Sequence, residues 1–111
     1  MNDADELDRE LREHYLSVAQ TKVDGLTFAL LEARARPADD GAIERLRVLV
    51  HKIAGSAGAY GFDSLGFAAK ALEKEIRAAP RPLPAGVLRE AERFLACMTA
   101  EFVAARRTAS S

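Results

Sequence analysis

The chain has 111 residues, of which 49% are hydrophobic and 30% are charged, and its formal net charge is -1. This length and composition fit one globular domain, and the balanced charge gives no reason to expect nucleic acid as a partner. No apolar run approaches the roughly 20 residues of a membrane-spanning helix, and the acidic N-terminus is unlike a signal peptide. The single cysteine, Cys97, excludes an internal disulfide and a CxxC metal or redox site. We therefore expect a cytoplasmic domain with no cofactor or metal of its own and no membrane partner.

The spacing of apolar residues predicts four helices and no strand. The first helix extends from about Asp3 to Arg36, because apolar side chains recur there at intervals of three or four residues. Gly25 lies inside this pattern, and glycine costs about 1 kcal/mol relative to alanine in a helix interior. A bend or break is therefore expected between Gln20 and Gly25, and Pro37 ends the helix.

The second helix is predicted to begin after a turn, with Asp39 or Asp40 as its N-cap, and to end near Gly61. One face of this helix is apolar and is expected to enter the core. The members of that face are Ile43, Leu46, Leu49, Val50, Ile53, Ala57 and Tyr60.

The third and fourth helices are separated by a proline-rich linker. The third is predicted to begin with Asp63 or Ser64 as its cap and to end before Pro80. The fourth extends from about Ala85 to Arg106. Connections this short favour antiparallel neighbours, so we predict an all-α, up-down antiparallel four-helix bundle whose N-terminal helix is bent or split.

The predicted bundle has one hydrophobic core. It is expected to occupy residues 1–106 as a single domain, with residues 107–111 as a frayed tail. Core candidates outside the second helix are Phe28, Phe67, Phe94, Phe102 and Cys97.

Two glycines interrupt the second helix near its C-terminal end. Gly55 and Gly58 each cost about 1 kcal/mol relative to alanine, which indicates that something approaches this stretch of backbone closely. A helical projection at about 100° per residue tests whether another helix of the bundle is the cause. The apolar face is centred about 140° away from His51, and the two glycines lie on either side of that histidine. The projection predicts an exposed imidazole that another macromolecule can reach.

A solitary exposed histidine supports few kinds of chemistry. Metal binding needs further ligands, and His14, the only other histidine, is distant and lacks HxxxH spacing. Acyl transfer needs an activated serine or cysteine in a pocket, whereas Ser56 projects towards the opposite edge of the helix. What remains is a neutral imidazole, whose ordinary pKa is about 6.5, acting as a nucleophile on a group that a partner supplies.

The residues around His51 resemble the motif of the histidine-containing phosphotransfer (HPt) domains of two-component phosphorelays. That motif is approximately H-x-[LI]-K-G-[SA]-[SA]-x-x-x-G, followed by a leucine and later by a Leu-Glu pair. This sequence departs from it at Ala54, where the family often has lysine, and Lys52 stands directly after the histidine instead. The matching positions are His51, Ile53, Gly55, Ser56, Ala57, Gly61, Leu65, Leu72 and Glu73.

The resemblance implies a mechanism for this histidine. Nε2 of His51 attacks an aspartyl phosphate on a receiver domain, and the phosphohistidine then loads a second receiver by the reverse reaction. The receiver brings the Mg²⁺ and most of the charged groups. Lys52 or Arg47 stabilises the phosphoryl group, while Gly55 and Gly58 leave the approach open. A small, semi-apolar docking surface is also implied, formed by Val48, Ala54, Ala59 and Phe62.

The partners that the resemblance implies are the receiver domains of response regulators, including the receiver domain of a hybrid histidine kinase. We expect the chain to meet them as a monomer. Lys70, Lys74 and Arg77 form a basic stripe around Glu73. We interpret this stripe as a solvated face with pairs four residues apart, rather than as a patch that contacts a receiver.

Two other classes of function compete with phosphotransfer. An ATP-dependent kinase is disfavoured, because the chain has no glycine-rich loop of the P-loop type and is too short for a kinase ATP domain. We therefore predict no ATP-dependent kinase activity. A non-catalytic helical adaptor that binds a signalling partner stays open, although the glycines beside an exposed histidine do not favour it. The initial methionine and the Ser-Ser end favour a standalone protein over a fragment of a hybrid kinase.

Overall fold

The computed structural model describes residues 3–110, with the side chains of residues 3–108. Within this range all regular structure is helical, and four helices pack in a ring in which each contacts its two neighbours. The first helix of the chain packs mainly against the second and the last, and the hydroxyl of its Tyr15 also lies 3.1 Å from that of Ser56 on the third helix. The predicted all-α bundle is confirmed. In chain order the helices are α1 (Asp3–Ser17), α2 (Ala19–Ala35), α3 (Asp40–Ala59), α4 (Asp63–Ala78) and α5 (Ala85–Ser110).

Contacts between α3 and α4 show how these two helices run. Gly66 at the start of α4 lies against Gly58 near the end of α3. Farther along α4, Glu73 contacts His51, which precedes Gly58 in sequence. Residue numbers thus rise along one helix as they fall along the other, and the pair is antiparallel.

The first predicted helix is two helices, and the break lies earlier than the sequence indicates. α1 ends at Ser17 and α2 begins at Ala19, so the interruption is at Val18 and not between Gln20 and Gly25. The Ser17 hydroxyl donates to the carbonyl of His14 at 2.6 Å. Such local side-chain bonds compete with helical hydrogen bonding. Gly25, at which the sequence allows a break, is helical and lies inside α2.

Both ends of α3 follow the prediction. Asp39 is the N-cap, and its carboxylate accepts a hydrogen bond from the backbone N–H of Gly41 at 2.9 Å. At the other end, Gly61 has a φ of 88°, and the N–H of Phe62 donates to the carbonyl of Ala57 at 2.8 Å. This is the Schellman arrangement, in which a left-handed glycine closes a helix.

The start of α4 departs from the prediction, whereas its end does not. Phe62 is the N-cap, and no side chain caps the helix, so Asp63 and Ser64 do not have the capping role expected of them. The Phe62 ring is buried and fixes the chain at this point, which places Asp63 inside the first turn. The helix ends at Ala78, before Pro80, as predicted.

The last helix is longer than expected. α5 continues beyond Arg106 to Ser110, so residues 107–110 are helical in this structure. Ala104, Ala105, Arg106 and Arg107, all strong helix formers, lead into this stretch. Of the predicted domain and tail, residues 1–2 and Ser111 lie outside the described residues. Within residues 3–110, no helix has the length and apolar character needed to cross a membrane.

The centre of the core is aromatic. The rings of Tyr15, Phe62 and Phe102 contact one another with centroids 5.5–5.8 Å apart. Aromatic pairs at such separations contribute beyond the apolar area that they bury. Phe94 and Phe102 are buried, as predicted.

Three predicted core residues lie on the surface. Phe28 and Phe67 are 72% and 73% exposed, and Cys97 is also exposed. In α2, Leu26 and Leu30 occupy the core side, which turns Phe28 outwards. These three core predictions are wrong, because spacing alone did not fix which apolar residues of each helix share the buried face.

Candidate functional site

His51 lies on the outer side of α3. Its side chain is 64% exposed, whereas its neighbours Val50 and Ile53 are buried in the core. The imidazole exposure that the helical projection predicts is confirmed.

Gly55 and Gly58 leave the surface beside the imidazole open. Both are exposed, and a Cβ atom added to either would meet no neighbouring group within 4 Å. The backbone of Gly58 also meets α4, because a Cβ atom on Gly66 would lie 3.3 Å from its nitrogen. Gly66 allows the two helices to approach this closely. Gly58 therefore leaves the surface beside His51 open, and its backbone also lies at the close crossing of α3 and α4.

Glu73 is the one charged residue that is buried among the side chains of residues 3–108. One of its oxygens, Oε1, lies 3.0 Å from Nδ1 of His51. Glu73 is part of the sequence motif, but the motif does not indicate what this residue does. The sequence does contain a signal for the burial of Glu73. This residue has the helical spacing of the buried Ala69 and Ile76, which places a carboxylate in an apolar stripe.

Two arginines bind the other oxygen of Glu73. Arg47 donates from Nη1 to Oε2 at 2.9 Å, and Arg77 donates from Nη2 to the same atom at 3.2 Å. Arg47 also donates from Nε to Glu44 at 2.9 Å. The arginines hold the carboxylate from one side, so that its remaining oxygen faces the imidazole.

The charge state of Glu73 decides which nitrogen of His51 carries the ring proton. The hydrogen bond from His51 lowers the pKa of Glu73, and Arg77 and Arg47 lower it further, while burial opposes them. An ionised carboxylate only accepts hydrogen bonds, so Nδ1 carries the ring proton. In the neutral ring the lone pair is then on Nε2, and no hydrogen bond within residues 3–108 occupies that atom.

The lowered pKa of Glu73 predicts a pH-dependent stability. A carboxyl group whose folded pKa lies below its ordinary value of 4.5 stabilises the fold above that pH and loses this contribution as the pH falls through the folded pKa. We expect Glu73→Gln to lower the free energy of unfolding more at about pH 7 than at about pH 3. Urea denaturation of both proteins at the two pH values measures the difference, and equal losses would contradict the ionised carboxylate.

The two cations predicted beside the histidine lie in different surroundings. Arg47 is bound to Glu44 and Glu73, and the hydrogen bond with Glu44 raises the pKa of its guanidinium further. Lys52 is exposed and projects about 100° away from His51 around α3. Arg47 thus contacts the carboxylate that holds the imidazole, and Lys52 lies at the edge of this surface.

The residues predicted for docking are not all on the surface. Ala59 is exposed, and Val48 and Ala54 are half-buried. Phe62 is only 5% exposed, so its predicted docking role is wrong. The left-handed Gly61 directs the chain so that the Phe62 ring enters the core.

A helical bundle that presents one oriented imidazole on an open face has the features of a phosphotransfer carrier. The family model named Hpt domain matches residues 10–106, which is most of the chain, and the chain therefore belongs to the Hpt domain family. No curated protein and no solved structure matches the chain. Family membership gives it a general role in histidine phosphotransfer within phosphorelays, with receiver domains as the kind of partner.

Proposed function

We propose that this chain accepts a phosphoryl group on Nε2 of His51 from the aspartyl phosphate of one receiver domain and passes it to an aspartate of another. The observation that supports this most strongly is the 3.0 Å contact between Nδ1 of His51 and Glu73. This contact orients an exposed ring so that its free nitrogen is the nucleophile. Family membership supplies the kind of partner.

The transfer requires no proton to leave the ring. The lone pair of Nε2 forms the N–P bond while the P–O bond to the receiver's aspartate breaks, and the aspartate departs as a carboxylate with the bonding electrons. The imidazole then holds a proton on Nδ1 and the phosphoryl group on Nε2. The ionised Glu73 stabilises this cationic ring, and the cationic ring is a good leaving group when the second receiver is loaded.

The receiver is proposed to bring the remaining chemistry. Residues 3–110 include no group of three or more histidine, cysteine, aspartate or glutamate side chains that could hold a metal ion. We assign the Mg²⁺ of the transfer to the receiver. This chain is proposed to act as a cytoplasmic monomer without ATP-dependent kinase activity, and to accept the receivers of response regulators and hybrid kinases.

The proposed docking surface extends from His51 across the groove between α2 and α3. Val48 lies about one turn before His51 and lines this groove, and the exposed Phe28 lines it from α2. The groove has a volume of about 660 Å³. A receiver that covers about 800 Å² around His51 extends well beyond one helical turn, and we propose that it extends over this groove. Ala54 and Ala59 complete the docking surface.

Removing the Phe28 ring is expected to weaken docking and not the chemical step. Phe28→Ser should raise the receiver concentration for half-maximal transfer about tenfold, which is the scale of an aromatic interface residue, with little change in the maximal rate. Transfer rates measured against receiver concentration separate the two effects. Val103→Ser is the control, because Val103 is a partly exposed apolar residue on α5, which is not adjacent to α3 in the ring of helices. Equal behaviour of the two variants would contradict the docking surface.

A side chain placed beside the imidazole is expected to block transfer. Gly58→Leu and Gly55→Gln have space in this chain, and both replace glycine by a better helix former, so helicity should be unchanged or higher. The added side chains cover the approach to His51 and should slow transfer. Circular dichroism and transfer rates on the same samples test this, and an unaltered rate in both variants would rule out the role of the open surface.

Two receivers and one label distinguish the proposed carrier from an adaptor. A receiver phosphorylated with labelled phosphate is mixed with this chain, and a second receiver is added later. We expect acid-labile label on this chain and then on the second receiver. Binding of both receivers without label on this chain would favour a non-catalytic adaptor. Label incorporated from ATP alone would instead identify a kinase.

A further inference from the structure

Three lysines near the phosphoacceptor surface have no ion pair. Lys52, Lys70 and Lys74 are exposed, and none of them binds a carboxylate within residues 3–108. The arginines differ, because Arg47 and Arg77 both bind Glu73. The lysines are therefore the cations on this surface that remain available to an incoming anion.

The contacts of α4 place Lys70 beside the site. α4 is held against α3 at Gly66, whose Cβ position lies 3.6 Å from the carbonyl oxygen of Ala54, and at Glu73, which contacts His51. Lys70 stands between these two points, four residues after Gly66 and three before Glu73. Residues at these spacings share one side of a helix. Lys70 thus emerges next to the part of α3 that follows His51.

The other two lysines point elsewhere. Lys74 projects about 100° away from Glu73 around α4, and Lys52 projects about 100° away from His51 around α3. Lys70 lies about 60° from Glu73 on the same projection. Its long, flexible stem allows the ammonium group to move towards a ligand on the imidazole.

The charges of the site do not fully balance a phosphoryl group, because the cationic imidazole offers it only one positive charge. Glu44 and Glu73 carry two negative charges, which Arg47 and Arg77 balance. A phosphoryl group on His51 adds between about one and a half and two further negative charges. Transfer of such a group depends mainly on positioning and on cations that stabilise its charge.

We propose that Lys70 stabilises the phosphoryl group on Nε2 of His51 during transfer, in place of a cation on α3 itself. This proposal rests on the proposed function, since it needs His51 to be the acceptor. It changes the interpretation of the basic stripe on α4. Arg77 pairs with Glu73 there, whereas Lys70 contacts the transferred group.

Kinetics of four variants test the assignment. Lys70→Ala should lower the maximal rate of transfer from a phosphorylated receiver about tenfold, which is about 1.4 kcal/mol in activation free energy, with little change in the half-saturating receiver concentration. Lys70→Arg should retain most of the rate, because it keeps the charge. Lys74→Ala serves as the matched control and should stay within about twofold of the unaltered chain, whereas Lys52→Ala tests the alternative cation on α3 and should lose less than Lys70→Ala.

Three results would overturn the role of Lys70. One is an unchanged maximal rate in Lys70→Ala, and another is an equal loss in Lys52→Ala. The third is a loss confined to the half-saturating concentration, which would make Lys70 a docking residue. Failure of the proposed function is distinguishable, because the unaltered chain would then take no label on His51.

Discussion

Replacement of His51 by glutamine is expected to abolish phosphoryl transfer. The amide has no nucleophilic nitrogen, and the side chain is exposed, so the substitution should change the free energy of unfolding by only about 0.5 kcal/mol. The measurement is label on the protein after incubation with a phosphorylated receiver, followed by an acid wash. The unaltered chain should take acid-labile label, and His51→Gln should take none.

His14 provides the control for this experiment. It is the only other histidine of the chain, and it lies exposed on α1. His14→Gln should be labelled as the unaltered chain is. Label on His51→Gln at the level of the unaltered chain would exclude His51 as the acceptor, and loss of label in His14→Gln would place the acceptor on α1.

Removal of the Glu73 carboxylate is expected to slow transfer by about tenfold or more, equivalent to at least about 1.4 kcal/mol in activation free energy. In Glu73→Ala, no acceptor fixes the proton on Nδ1, so part of the population has its proton on Nε2 and cannot attack. The ring is also free to rotate away from the productive orientation. Single-turnover transfer at saturating receiver isolates this loss from any change in docking.

Glu75→Ala is a matched control for Glu73→Ala. Glu75 is a second carboxylate on α4, but it is exposed and lies away from His51, in a shallow pocket between α4 and α5. We expect Glu75→Ala to transfer at the rate of the unaltered chain. Equal rates in both variants would show that the carboxylate beside His51 has no part in the reaction.

The sequence predicted those parts of the fold that depend on local chemistry. The N-cap at Asp39 and the end of α3 at Gly61 follow from the hydrogen bonding of one side chain and the backbone freedom of one residue. The break at Val18 could not be predicted in this way, since both sides of it have helical sequence. Phe28 and Phe67 show the same limit, because periodicity does not decide between a buried and a solvent-facing phenylalanine without the neighbouring helices.

The candidate site likewise combines features that the sequence predicted with one that it did not. The exposure of His51 and the bare surface at Gly55 and Gly58 are properties of one helix, and the projection of that helix predicted them. The contact with Glu73 depends on the register between α3 and α4, which the close approach at Gly66 sets. No single helix contains that information, so the role of Glu73 became clear only in the folded bundle.

The protonation and phosphorylation of the two ring nitrogens of His51 test the central claim most directly. Nitrogen-15 NMR of the ring distinguishes a protonated from an unprotonated nitrogen, and phosphorus coupling identifies the nitrogen that holds the phosphoryl group. We predict a proton on Nδ1 and a free lone pair on Nε2 in the unphosphorylated protein, and phosphorus coupled to Nε2 after transfer from a receiver. Phosphorus coupled to Nδ1, or to no nitrogen of His51, would contradict this account.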